Sequence, residues 1–76
     1  QRRLGRAVRQ IRVSRGLTQE QVSAASGLHP TYISDIERGA RNPSWDVIAR
    51  LASGIGVTTA DIGERFDEEP VAAEDA

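Results

Sequence analysis

The fold is decided by residues 17–39, which read LTQEQVSAASGLHPTYISDIERG. Thr18 is a typical N-cap residue, and Gln21 three positions later completes a capping box, so a helix is predicted to begin here. Gly27 ends this helix after about two turns, because glycine readily adopts the left-handed conformation found at helix C-termini. Pro30 suits the first position of a second helix, where its missing N–H costs nothing. The stretch therefore predicts two short helices around a tight turn.

Small side chains allow these two helices to pack closely. Ala24 or Ala25 in the first helix and Ile33 in the second are small or slim enough for the helices to cross at a steep angle. This is the geometry of a helix-turn-helix unit. The second helix, which Gly39 closes, then projects as a rod whose width suits the major groove of DNA.

The N-terminal segment predicts another helix, from about Arg2 to Ser14. Its apolar side chains fall at helical spacing and form one stripe, made of Leu4, Ala7, Val8 and Ile11. Three arginines are expected on the opposite, solvated face, namely Arg2, Arg6 and Arg9.

Two more helices follow the central unit. Ser44 caps a fourth helix that Gly56 ends, and Thr58 with Asp61 caps a short fifth. No segment shows strand alternation, so the chain is predicted to be an all-α bundle of five short helices. One compact core is expected, formed by Leu4, Val8, Ile11, Leu17, Val22, Ile33, Ile36, Ile48, Leu51, Ile55, Val57, Ile62 and Phe66. Residues 1–66 form this domain, and residues 67–76 form an acidic, frayed tail or the start of a linker.

The composition limits the possible functions. The 76 residues suffice for one small domain. The absence of cysteine and the single histidine, His29, exclude disulfides, thiolate nucleophiles and a multi-histidine metal site. We predict no catalytic residues, no metal and no cofactor, and we do not expect an enzyme, because no nucleophile and base share a helix face. No apolar run approaches the roughly 18–20 residues of a membrane span, so no membrane partner is predicted.

The charges are distributed unevenly. Residues 1–50 contain nine arginines and four acidic residues, whereas residues 51–76 contain one arginine and seven acidic residues. A basic body with an acidic tail favours a polyanionic partner for the body. The basic residues are all arginines, which suit bidentate contacts to phosphate and guanine.

The combined pattern resembles the Cro/repressor (XRE) family of helix-turn-helix DNA-binding domains. The likeness runs from about Leu4 to Phe66, and residues 31–44, TYISDIERGARNPS, are especially similar to the controller proteins of restriction–modification systems. The matching motifs are Leu17-Thr18-Gln19-Glu20, Gly27, Tyr32-Ile33-Ser34, Ile36-Glu37-Arg38-Gly39 and Arg41-Asn42-Pro43-Ser44. The resemblance implies a lambda-repressor-like bundle whose recognition helix spans about residues 29–38.

The resemblance also implies roles for individual residues. Gln19 would touch a phosphate and brace the recognition helix, and Arg12 with Glu37 would form a partly buried salt bridge. The positions that face DNA are His29, Pro30, Thr31, Tyr32, Ser34 and Asp35. Contacts to backbone phosphates are assigned to Arg38, Arg41 and Asn42.

Several of these positions allow a second interpretation. His29 serves either DNA contact or N-capping alone, and Tyr32 either DNA contact or packing under the turn. Asp35 would repel phosphate unless it accepts from a cytosine amino group or pairs with an arginine. Relatives often carry Gln, Asn, Arg or Lys at the positions where this chain has His29, Pro30, Thr31 and Tyr32. Direct base contacts are therefore expected to be sparse, with phosphate contacts and DNA shape contributing more.

We expect a cytoplasmic transcriptional regulator that binds double-stranded DNA specifically, as a twofold homodimer on a palindromic operator. Candidate dimer contacts are Trp45, Ala49, Ile55 and Phe66, although Trp45 also fits plain core packing. Repression and activation are not distinguished, and the sequence isolates no surface for RNA polymerase. The alternatives are the DNA-binding half of a larger ligand-responsive regulator and an antitoxin-like or other protein-interaction module of the same fold.

Overall fold

Five α-helices make up most of the chain. The computed structural model describes residues 2–71, and this range contains no strand. The helices are α1 (Arg2–Ser14), α2 (Gln19–Ser26), α3 (Pro30–Glu37), α4 (Trp45–Ile55) and α5 (Thr59–Glu68). The prediction of an all-α bundle with a central helix-turn-helix, formed by α2 and α3, is confirmed. None of these five helices is long and apolar enough to cross a membrane.

Capping boxes begin α2 and α5. The backbone N–H of Thr18 donates to Gln21 Oε1 at 2.8 Å, and the N–H of Gln21 donates to Thr18 Oγ1 at 3.0 Å. Thr58 and Asp61 exchange the same pair of bonds at 2.9 and 3.1 Å. The bond from the Thr58 backbone N–H lowers the pKa of Asp61 below its usual value. This cap is therefore fully stabilising above the pKa of an unfolded aspartate and is lost as the pH falls through the folded pKa.

One apolar cluster joins all five helices. Its largest fully buried side chains are Val8, Val22, Ile33, Ile36, Leu51 and Ile62. Partly buried side chains packed against this cluster include Leu4, Ile11, Leu17, Ile48 and Val57. The cluster fixes the distances between helices, because burial of these side chains removes apolar surface from water.

Glycines let α1 approach α3 and let α4 approach α2 closely. A Cβ atom on Gly5 of α1 would lie 2.4 Å from the carbonyl oxygen of Ile36 on α3. A Cβ on Gly54 of α4 would lie 2.9 Å from the Cβ of Ser26 on α2. The expectation that Ala24 or Ala25 provides the close contact is wrong, because both alanines are exposed.

The expectation that Ile55 contacts a second copy of the chain also disagrees with its position in the structure. Ile55 lies at the end of α4 and is only 4% exposed, as a member of the core cluster. It was expected both in the core and at a dimer surface, and only the core position agrees with its burial.

The end of α5 is held against α1 by a group that we call the C-terminal clasp, formed by Arg3, Arg6, Arg65 and Glu69. The buried Glu69 carboxylate accepts from Arg6 Nε at 3.1 Å and pairs with Arg65 Nη2 at 2.7 Å. Arg3 Nε donates to the Glu69 carbonyl oxygen at 3.0 Å. Arg6 is therefore not on a free solvated face, and regular structure continues past residue 66, where the tail was expected to begin. Residues 72–76 of that tail lie outside the described residues.

Gly5→Ala tests the close packing of α1 on α3. We expect a loss of about 2 kcal/mol in the free energy of unfolding, because the added methyl meets backbone carbonyls that cannot rotate away. Gly63→Ala is the matched control, since no atom outside its own stretch of helix lies within 4 Å of the Cβ it would add. We expect it to stabilise α5 by roughly 0.5 kcal/mol. Both variants are compared at a low concentration at which the chain is monomeric, because Gly63 also lies on an exposed apolar surface. Urea titration measures both, and a Gly5→Ala variant as stable as the parent would contradict the packing.

Candidate nucleic-acid interface

A buried carboxylate fixes the orientation of α3. Glu37, at the end of α3, has only 3% of its side chain exposed. Its two oxygens accept from Arg12 of α1, with Nε at 2.7 Å and Nη2 at 2.9 Å. Gln19 Nε2 of α2 donates to the same carboxylate at 3.1 Å. Helices α1, α2 and α3 therefore meet at the Glu37 side chain. The salt bridge between Arg12 and Glu37 is the one that the resemblance implies.

The guanidinium of Arg12 completes this network. Its Nη1 donates to the carbonyl oxygen of Leu17, in the loop before α2, at 2.7 Å. The hydrogen bonds to Glu37 raise the pKa of Arg12 above its usual value. No buried polar side-chain atom among the described residues lacks a hydrogen-bond partner, so this charged group is fully satisfied.

The N-terminal end of α3 is exposed. His29 is the N-cap, and its Nδ1 accepts from the backbone N–H of Thr31 at 3.1 Å. Capping therefore leaves only Nε2 of the ring for a partner outside the chain. Pro30 occupies the first helical position, as predicted, and Thr31 is exposed beside it.

A cluster of charged and aromatic side chains runs along α3 and into the loop after it. The carboxylate of Asp35 pairs with Arg38 Nη2 through Oδ1, and its Oδ2 lies 3.8 Å from Arg41 Nε. The guanidinium of Arg41 lies over the ring of Tyr32, 4.6 Å from its centroid. We call these four residues the arginine cluster. Both arginines are exposed, whereas Tyr32 and Asp35 are half-buried.

The remaining expected contact residues are spread around this cluster. Ser34 is half-buried on α3, and Asn42 is exposed in the loop after it. Gln19 is turned toward Glu37, so its amide braces α3 from α2. The structure thus brings Tyr32, Asp35 and the two arginines together, and His29 and Thr31 lie outside this cluster, at the N-terminal end of the same helix.

A second surface lies away from α3. An apolar groove of about 260 Å³ is formed by residues of α1, α4 and α5, mainly Leu4, Trp45, Ile48, Ile62, Gly63 and Phe66. Trp45 is 74% exposed, which contradicts its assignment to the core. The sequence predicted Trp45 and Phe66 at an exposed contact surface, but it did not indicate the other residues that line this groove. Ala49 is exposed but does not line the groove.

Within residues 2–71, no three side chains of His, Cys, Asp or Glu are grouped to hold a metal ion. What the described surface offers instead is a supported helix with exposed hydroxyl, imidazole and guanidinium groups, which suit contacts to a polyanion.

Residues 3–64 match the family of helix-turn-helix domains, and the chain belongs to this family. It is similar to control protein C.BamHI of Bacillus amyloliquefaciens, with 48% identity over 59 residues that cover 76% of this chain and 73% of that protein.

Solved structures of controller proteins share the fold. The restriction–modification controller protein C.AhdI from Aeromonas hydrophila has a TM-score of 0.77 and 33% identity, over 80% of this chain and 92% of that chain. The structure of C.Esp1396I bound to a 19 base pair DNA duplex has a TM-score of 0.84 and 30% identity. That match covers 93% of this chain and 95% of the other.

Glu37→Ala tests the junction of the three helices. We expect a loss of about 3 kcal/mol in the free energy of unfolding, because Arg12 would keep its charge in a largely buried position without its carboxylate. Denaturant titration followed by circular dichroism measures this loss.

The exposed pair of Arg65 and Glu68, 3.2 Å apart, provides the control. Glu68→Ala should cost less than about 0.5 kcal/mol, because exposed ion pairs contribute little. Equal losses for the two variants would contradict a special role for Glu37.

Proposed function

We propose that this chain binds double-stranded DNA sequence-specifically, with α3 in the major groove, and acts as a transcriptional regulator. The observation that carries the proposal is an exposed face of α3, with arginines at its C-terminal end, on a helix held by Glu37. The similarity to C.Esp1396I, which is bound to a DNA duplex in its structure, supports it. The relatives C.BamHI and C.AhdI come from bacteria, whose DNA lies in the cytoplasm, and we assign this chain to the same compartment.

The phosphate contacts are assigned to the end of α3 and the loop behind it. Arg38 and Arg41 are exposed, and Asn42 is exposed next to them. Each guanidinium carries five N–H donors, of which the contacts to Asp35 occupy only some. Such contacts fix the position of a protein on the duplex without reading its sequence.

The base contacts are assigned to the start of α3. Thr31 is exposed and offers a hydroxyl to a base edge and a methyl to a thymine methyl. His29 offers Nε2, and Pro30 offers only apolar contact. Because so few groups read base edges, sequence-dependent shape of the duplex supplies part of the specificity.

The apolar groove is assigned to a second copy of the chain. An exposed tryptophan beside apolar side chains of α1, α4 and α5 has the composition of an interface core. A twofold dimer through this surface would present two α3 helices to half-sites about 10 bp apart or a multiple of that distance. The operator is accordingly expected to be a palindrome.

Replacement of Thr31 and of Arg41 should have different effects on DNA binding. Selection from randomised duplexes yields the preferred site of the parent chain, and Thr31→Ala is expected to change that preference. Arg41→Ala is expected to weaken binding to all duplexes alike and to flatten the slope of log K against log salt by about one unit.

Arg15→Ala is the control for Arg41, because Arg15 is exposed at the far end of α1, beside Gly56 and Asp61. It removes the same charge and should leave the slope unchanged. Failure of the selection to enrich any site would contradict the proposed function. A slope that Arg41→Ala does not change would contradict the phosphate contact alone.

Trp45→Ala tests the dimer. We expect the dissociation constant of the dimer to rise by about tenfold or more, because interface tryptophans contribute much of the association energy. Sedimentation equilibrium measures this constant. Val13→Ala is the control, since Val13 is a half-exposed apolar side chain of α1 that does not line the groove. A parent chain that is monomeric at all concentrations would contradict the assignment.

A further inference from the structure

Asp35 is an unexpected residue for a surface that binds DNA. It lies on α3 between Thr31 and Arg38, one turn from each, on the face assigned to the major groove. A carboxylate accepts hydrogen bonds but cannot donate them, and it repels phosphate. Its side chain is nevertheless 20% exposed, and it is held in place by neighbouring groups.

Both oxygens of this carboxylate face cations of the same chain. Oδ1 pairs with Arg38 Nη2, and Oδ2 lies 3.8 Å from Arg41 Nε. The negative charge of Asp35 is therefore balanced by two arginines of its own chain, with a hydrogen bond at Oδ1 and a longer ion pair at Oδ2. The ring of Tyr32, 4.6 Å from the guanidinium of Arg41, restricts that side chain from a second direction.

The two guanidiniums keep donors for other partners. Arg38 uses one terminal nitrogen for Asp35, and Arg41 approaches it with Nε. The planar guanidinium can bind a carboxylate along one edge and a phosphate along another. Arg38 and Arg41 can then contact the phosphates of the preferred site while both still face Asp35.

We propose that Asp35 is a positioning residue that holds Arg38 and Arg41 in place for the phosphates of the preferred site and thereby limits binding to non-specific DNA. The inference rests on the proposed function. On a duplex whose shape does not present phosphates to these held guanidiniums, the arginines reach phosphates only by leaving Asp35, which places an unpaired carboxylate beside the duplex. Non-specific binding depends on phosphate contacts almost entirely, so it is weakened most.

The test is the neutral, nearly isosteric variant Asp35→Asn. Its affinity is measured for a fixed random-sequence duplex and for the site selected by the parent chain, between about 50 and 200 mM salt. We expect binding to the random duplex to tighten about tenfold, with a slope steeper by about one unit. Binding to the selected site should change less than about threefold, so the ratio of the two affinities falls.

Two further variants separate positioning from net charge. Glu64→Gln makes the same change in charge on α5, at an exposed position, and should leave the affinity for the random duplex within about twofold. In a background of Arg38→Gln and Arg41→Gln, the carboxylate is unpaired on every duplex, so Asp35→Asn should tighten binding to both duplexes alike. The ratio of the two affinities should then stay within about twofold, because the side chains through which Asp35 discriminates are gone. Thermal unfolding confirms that each variant is folded.

Other outcomes would overturn the proposal. Unchanged or weaker binding of Asp35→Asn to the random duplex excludes a limit on non-specific binding. Equal tightening on both duplexes by Asp35→Asn alone, or a fall in the affinity ratio that persists without the two arginines, shows simple charge repulsion and not positioning. A parent chain that selects no site and binds no duplex instead refutes the proposed function, so the two failures are distinguishable.

Discussion

The buried carboxylate of Glu37 is the constraint on which the rest of the structure depends. It receives hydrogen bonds from α1 and α2 while belonging to α3, so the orientation of α3 is fixed by charge-assisted bonds as well as by apolar packing. Gly5 lets α1 approach the same end of α3 at backbone distance. The helix therefore projects from a rigid base, and its exposed groups keep fixed relative positions, which recognition of a regular duplex requires.

Local sequence signals predicted the helices, because the start of each helix depends on a few neighbouring residues. The capping boxes of Thr18 with Gln21 and of Thr58 with Asp61 each join residues three positions apart, so a short stretch of sequence displays them. The contacts between helices were predicted less well. Whether Ala24 lies at the crossing of α2 with α3 depends on how α2 is rotated, and that rotation is set by the whole core. Glu69 was placed in a frayed tail because two of its partners, Arg3 and Arg6, are more than 60 residues away.

In the candidate site, too, contacts between residues near each other in the sequence were predicted better than contacts between distant ones. Helical spacing makes Asp35 and Arg38 neighbours, and the resemblance implies the pair of Arg12 and Glu37. Arg41, however, lies in a loop, and periodicity does not indicate that it returns over Tyr32 and toward Asp35. The apolar groove draws residues from three helices, so no single stretch of sequence displays it.

The C-terminal clasp has a consequence for folding during synthesis. Arg3 and the carbonyl group it binds are separated by 66 residues, whereas the capping boxes close over three. Ribosomes add roughly 5–20 residues per second, so contacts within α2 and α3 can form well before Glu69 emerges. The groove between α1 and α5 is completed last. A nascent chain therefore exposes its helix-turn-helix segment before the surface assigned to its partner is complete, and pairing of two copies awaits the emergence of α5.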